Sequence, residues 1–78
     1  MSATIKNMDL ILADLLFPDQ LMKGDMIKSP DQEIVTIKTI NSTDVGFTIE
    51  ATNDFDELVE FHITDDEMIS WYVFANDN

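Results

Sequence analysis

The sequence predicts a small, mainly β domain: one N-terminal α-helix followed by a five-stranded, bent antiparallel barrel. Three observations favour this fold. The 78 residues allow a single domain, residues 1–78. Apolar residues near the N-terminus recur at helical spacing, whereas from residue 25 onward short β-branched and aromatic runs alternate with polar turns. The connections between these runs are too short for crossover helices, so the strands are expected to pair antiparallel.

The predicted helix covers residues 3–17. Its apolar stripe is formed by residues at helical spacing, namely Ile5, Met8, Leu12 and Leu15. Pro18 ends the helix because a proline disfavours helical geometry at the residue before it. We expect this helix to cover one open end of the barrel.

The predicted strands lie within residues 25–75. In chain order they are expected at 25–28, 33–40, 47–52, 59–63 and 70–75. A serine followed by a proline at the start of 29–32 is typical of a type I turn. The second strand alternates imperfectly, which indicates a bend or a bulge. The segments 41–46, 53–56 and 64–67 are expected to be turns.

The charge is strongly acidic: 16 aspartate and glutamate residues stand against four lysines, giving a formal net charge of -12. The chain as a whole should therefore repel nucleic-acid backbones and anionic membranes. No apolar run approaches the roughly 20 residues that span a bilayer, so no membrane partner is expected. The absence of cysteine excludes disulfides and thiolate metal sites, and fits a reducing cytoplasm.

The last predicted strand is the densest apolar segment and indicates self-association. Its alternating side chains are apolar on both faces, and a terminal edge strand has unpaired backbone groups that can pair with another chain. The fourth strand could supply the complementary edge of a neighbour, closing a homo-oligomeric ring. The alternative is that the helix alone covers the second face. The expected interface residues are Val59, Phe61, Trp71, Tyr72, Val73 and Phe74.

A helix followed by five short, bent strands resembles the Sm-like (LSm) family. The resemblance covers Ile5 to Phe74 and rests on element order and length. It implies a ring formed by the fourth and fifth strands of neighbours, which binds RNA or DNA at its pore and scaffolds RNA processing. Small acidic chains of this kind also resemble phage accessory proteins, so we expect the cytoplasm of a bacterial or phage-infected cell. A generic SH3-like barrel is the alternative fold.

Two surfaces are candidates for binding. A nucleic-acid site would use one positive charge and nearby hydrogen-bonding groups, supplied by Lys38, Asn41, Ser42 and Thr43. Where the family places Arg-Gly, this chain has Asp65-Asp66-Glu67, of opposite charge. These acidic side chains predict the alternative function, in which they imitate phosphates and occupy a basic groove of a partner protein, or else merely maintain solubility. Phe55 either stacks on a base or partner, or folds back over the barrel mouth.

Catalysis is not expected. His62 is the only histidine, and it shares a predicted strand face with Glu60 without a third ligand in view. No glycine-rich phosphate loop, nucleophile elbow, zinc signature or EF-hand spacing occurs. We therefore predict a non-enzymatic protein without a metal or cofactor.

Overall fold

The computed structural model describes residues 10–74, which form one six-stranded antiparallel sheet and, within that range, no α-helix. The strands are β1 Leu10–Leu16, β2 Met26–Lys28, β3 Ile34–Thr43, β4 Gly46–Thr52, β5 Leu58–Thr64 and β6 Ile69–Phe74. A single 3-10 turn spans Pro18–Gln20. The strand order across the sheet is β1-β6-β2-β3-β4-β5. The prediction of a mainly β, antiparallel domain is confirmed.

The predicted N-terminal helix is wrong over residues 10–16, which form β1; residues 3–9 lie outside the described part of the chain. β1 pairs with β6, and its register shifts between Leu12 and Asp14. This bulge adds one residue to β1. Leu12 therefore pairs with Tyr72 and Leu15 pairs with Ser70, and both leucines lie on the same face of the sheet. A three-residue apolar spacing, which normally indicates a helix, here arises from a bulged strand.

The five-stranded barrel is not confirmed, because β1 adds a sixth strand and the sheet is open. The five strands predicted after residue 25 correspond to β2–β6. β5 and β6 are consecutive in the chain but are not neighbours in the sheet. Instead β6 pairs with β2 through Tyr72–Met26 and Trp71–Ile27. Within residues 10–74, β1 and β5 are therefore the two edges.

The hydrophobic core lies on one face of the curved sheet. Alternate residues of β3 and β4 supply its centre, as a half-buried strand requires. The connection between β1 and β2 buries Pro18 and Leu21, so this connection provides core cover that was expected of the helix. The buried apolar residues are Leu21, Ile27, Val35, Ile37, Ile49, Ala51, Ile63 and Ile69.

The irregularities of β3 position the residues of the predicted nucleic-acid site. The expected bulge is confirmed: the register shifts between Ile37 and Thr39, which leaves Lys38 as the extra residue. The expected six-residue turn at 41–46 is too long, because β3 continues to Thr43 and β4 begins at Gly46. Gly46 permits this tight turn with φ 151°, and a Cβ there would collide with the carbonyl oxygen of Ile63.

Candidate interaction surfaces

The residues of the predicted nucleic-acid site do not share a loop. Asn41, Ser42 and Thr43 are exposed residues at the end of β3 and pair with β4. Because side chains alternate along a strand, Ser42 points to the face opposite the other two. The Thr43 hydroxyl oxygen accepts the backbone N–H of Val45 at 3.3 Å, which helps to close the turn. Lys38 is exposed at the bulge.

β6 is not a free edge, contrary to the expectation from the sequence. It is paired with β1 along its length on one side and with β2 at Trp71 and Tyr72 on the other, so it offers no continuous free edge to a neighbouring chain. Trp71 packs against the core, whereas Tyr72 on the other face carries the Lys28 ammonium 5.6 Å from its ring centroid. β6 is interior because β1, read from the sequence as a helix, covers its outer side.

The remaining predicted interface residues divide between the two faces. Val59 and Phe61 lie on the edge strand β5, but both are half-buried against the core. Val73 is half-buried on β6, and Phe74 is exposed at the end of that strand. Pairing with a neighbouring chain requires a strand with a free edge. Among the described strands, these are β1 and β5.

β1 is an exposed, apolar edge strand with a single charged residue, Asp14. Four large apolar side chains on β1 and its partner β6 are each 44–53% exposed, and we call them the β1 patch: Ile11, Leu12, Leu15 and Phe74. The Asp14 carboxylate accepts the backbone N–H of Leu15 at 2.8 Å, so one donor of this strand is already satisfied. A bulge and a charge are two ways in which proteins limit pairing at an edge.

The turn between β4 and β5, residues 53–57, is built around one asparagine side chain. The Asn53 Oδ1 accepts the backbone N–H groups of Phe55 (2.9 Å) and Glu57 (3.0 Å). Its Nδ2 donates to Glu57 Oε1 at 2.9 Å. The backbone N–H groups of Asn53 and Asp56 also bond within the turn, and Asp56 adopts φ 64°. We call this structure the Asn53 turn.

The Asn53 turn presents Phe55 to solvent instead of folding it over the sheet. Phe55 is 82% exposed, more than any other large apolar residue of the described chain. Asp54 and Asp56 flank it in sequence, and both are exposed, as is Glu57. The turn thus holds an aromatic ring in water beside three carboxylates. The sequence signal for this turn is Asn53 itself, because an asparagine side chain can accept the backbone N–H two residues further along the chain, here that of Phe55.

The second acidic turn, Asp65-Asp66-Glu67, is exposed between β5 and β6, but it directs two carboxylates inward to its own chain. The Glu67 carboxylate accepts the Thr64 backbone N–H at 2.9 Å. The Asp66 carboxylate accepts the Thr64 hydroxyl at 2.9 Å. These bonds stabilise the turn, and Asp65, Asp66 and Glu67 all remain exposed.

The polar outer face of β4 and β5 has no constellation for catalysis or metal binding among residues 10–74. Thr48 Oγ1 lies 3.5 Å from His62 Nδ1, and Glu60 stands opposite Glu50. No group of three or more potential ligands occurs in the described residues. A cavity of about 240 Å³ lies between the β2–β3 and β5–β6 turns. That volume is below the roughly 300–1,000 Å³ of typical small-molecule sites.

No protein-family model, curated protein or solved structure matches the chain. Residues 10–74 contain no helix with the length and apolar character needed to cross a membrane. Within residues 10–74, the β1 patch and the Asn53 turn are the two surfaces whose exposed apolar side chains suit an interaction.

Proposed function

We propose that this chain is a non-enzymatic protein-interaction module that binds through the Asn53 turn. The partner would offer an apolar pocket for Phe55 and basic side chains around it. One observation carries the proposal: Phe55 is 82% exposed on a turn whose conformation is fixed by the Asn53 side chain. This proposal keeps the acidic interaction module predicted as the alternative function and assigns it to the Asn53 turn instead of Asp65-Asp66-Glu67.

The Asn53 turn offers a partner both an exposed aromatic side chain and a negative electrostatic potential. Aromatic residues that enter a desolvated pocket are enriched among the residues that dominate binding energy. A turn already held in its bound geometry loses less conformational entropy on binding. The flanking carboxylates, within a chain of net charge -12, attract a basic partner and accelerate its approach. Phe55 would supply affinity, and Asp54 and Asp56 would supply orientation.

Synthetic peptides test this proposal with a defined probe. Three matched fluorescent peptides would contain lysine and leucine, lysine alone, or leucine alone, and binding would be followed by anisotropy. We expect the lysine–leucine peptide to bind best and to lose affinity as salt rises. Phe55→Ala should weaken that binding about tenfold, or about 1.4 kcal/mol.

Two further variants make the test specific. Val45→Ala is the matched control, because Val45 is also an exposed apolar turn residue, at 65% exposure. Asp56→Asn removes one charge without backbone strain, since asparagine accepts a positive φ. We expect no effect from the first and a weaker salt dependence from the second. Equal binding by Phe55→Ala and the wild type would contradict the proposal.

The second candidate function is nucleic-acid binding on an Sm-like or SH3-like barrel formed by β2–β6. One contact favours it: the Gly24 N–H donates to the Ile37 carbonyl at 2.8 Å, which brings together the backbone segments that precede Lys38 and follow Lys23. Both lysines are exposed and would offer two positive charges to a phosphate backbone. A labelled single-stranded oligonucleotide at low salt tests this candidate. Binding that Lys23→Gln and Lys38→Gln abolish, and that Phe55→Ala leaves unchanged, would favour it over the first.

A further inference from the structure

We infer that β1 is a self-association strand: two copies pair β1 with β1 antiparallel across a twofold axis, joining two six-stranded sheets into one. This inference uses a surface separate from the Asn53 turn and stands independently of the proposed function. It replaces the ring expected through the last strand, because β6 has no free edge.

The backbone of β1 offers the pairing groups. Among the described strands, β1 is hydrogen-bonded on one side only, to β6. It has seven residues, longer than the three-residue β2 that pairs with both β3 and β6. An exposed, apolar edge strand of this length is a template for another strand. The β1 patch adds apolar side chains on both faces of the sheet next to this edge.

Charge identifies a second copy as the occupant. β1 contains one ionisable residue, Asp14, in a chain of net charge -12. A basic partner gains little at this strand, whereas another β1 matches its apolar character with the least repulsion. The other edge, β5, contains Glu60 and lies between the two acidic turns. Pairing through β5 would bring many like charges together.

Area and symmetry set the expected strength and size of the assembly. The exposed surface of the β1 patch is roughly 400 Å² per copy, and pairing at the β1 edge buries only part of it because Phe74 lies on β6. The interface is therefore expected to stay below about 1,000 Å², in the range of weak complexes. We therefore expect a weak, reversible dimer. Identical strands paired antiparallel across a twofold axis form a closed assembly, so growth stops at two copies.

Asp14 limits this pairing. Its carboxylate engages the Leu15 N–H, and in the dimer the two Asp14 side chains would lie on strands that face each other. Asp14→Ala should release that donor and remove the like charges. We expect this variant to dimerise at least about threefold more tightly, an effect that partial unfolding would not produce.

Sedimentation of the full chain over a wide concentration range tests the inference at low and high salt. Salt should tighten the dimer, because it screens repulsion between two copies of charge -12. Leu12→Asp should weaken the dimer by about tenfold or more, since it places a second negative charge beside Asp14 in the β1 patch. Val45→Asp introduces the same charge at an exposed turn and is the matched control. Trp71 emission verifies that each variant is folded.

The outcomes separate the alternatives. A species that stops at two copies, weakens in Leu12→Asp, tightens in Asp14→Ala and is unchanged in Val45→Asp supports the inference. A monomer at every concentration overturns it. A dimer of unchanged affinity in Leu12→Asp, or an assembly larger than two, also overturns it. Peptide binding by the Asn53 turn should weaken with salt, so either proposal can fail without the other.

Discussion

Replacing Asn53 by alanine is the most informative single change, because one side chain holds the whole turn that presents Phe55. The substitution removes three hydrogen bonds, two to backbone N–H groups and one to the Glu57 carboxylate. A net hydrogen bond contributes about 0.5–1.5 kcal/mol, and bonds in an exposed turn lie at the low end, about 0.5 kcal/mol each, so we expect Asn53→Ala to cost about 1–2 kcal/mol.

That cost is measurable in a domain of this size. The total free energy of unfolding is expected to be about 4–12 kcal/mol for 78 residues. A loss of 1–2 kcal/mol then lowers Tm by about 5–15 °C. Urea unfolding followed by the emission of Trp71, the single tryptophan, gives the stability directly. Asn53→Asp keeps the Oδ acceptors but loses the Nδ2 donor, so its stability should be intermediate.

Amide hydrogen exchange provides the second readout. In Asn53→Ala the amides of Phe55 and Glu57, which bond to Asn53 Oδ1, should exchange faster while the amides of β3 and β4 are unchanged. Asn41→Ala, at the exposed end of β3, is the control and should change stability by less than about 0.5 kcal/mol. Unchanged stability together with unchanged exchange in Asn53→Ala would refute the claim that this side chain fixes the turn.

Three further predictions concern the fold, each measured by urea unfolding with the wild type as reference. Gly46→Ala should cost about 1–3 kcal/mol or more, because the new Cβ meets the Ile63 carbonyl oxygen and φ is 151°; a neutral result would mean that β5 does not approach this turn. Ile27→Ala, at a fully buried core position, should cost about 2–5 kcal/mol, and a loss below 1 kcal/mol would contradict the core assignment. Lys28→Gln should cost about 0.5–1 kcal/mol by removing the ammonium from the Tyr72 ring, whereas a stabilised variant would contradict that contact.

The strands after residue 25 could be predicted because their residues satisfy strand rules locally. Ile49 and Ala51 alternate with polar residues on β4, and the imperfect alternation of β3 correctly indicated the bulge at Lys38. β1 could not be predicted by the same rules. Its bulge places Leu12 and Leu15 on one face, which reproduces helical spacing, and only pairing with β6 selects the strand.

The predicted helix over β1 also misplaces the predicted interface. Without β1 in the sheet, β6 becomes an edge strand, and the interface is then expected at Trp71 and its neighbours instead of at β1. The Asn53 turn was recognised as a turn, but the orientation of Phe55 depends on hydrogen bonds that composition does not reveal. The acidic turn at Asp65 was also recognised, although its bonds to Thr64 depend on the side-chain conformations.

The central claim is that the chain binds a protein partner through the Asn53 turn, and an NMR titration with the lysine–leucine peptide tests it most directly. Backbone amide shifts would be followed along the full chain as the peptide is added. We expect the shifts to concentrate at residues 53–57 and to disappear in Phe55→Ala. Shifts centred instead on residues 38–43 or on β1, or no shifts at all at low salt, would contradict it.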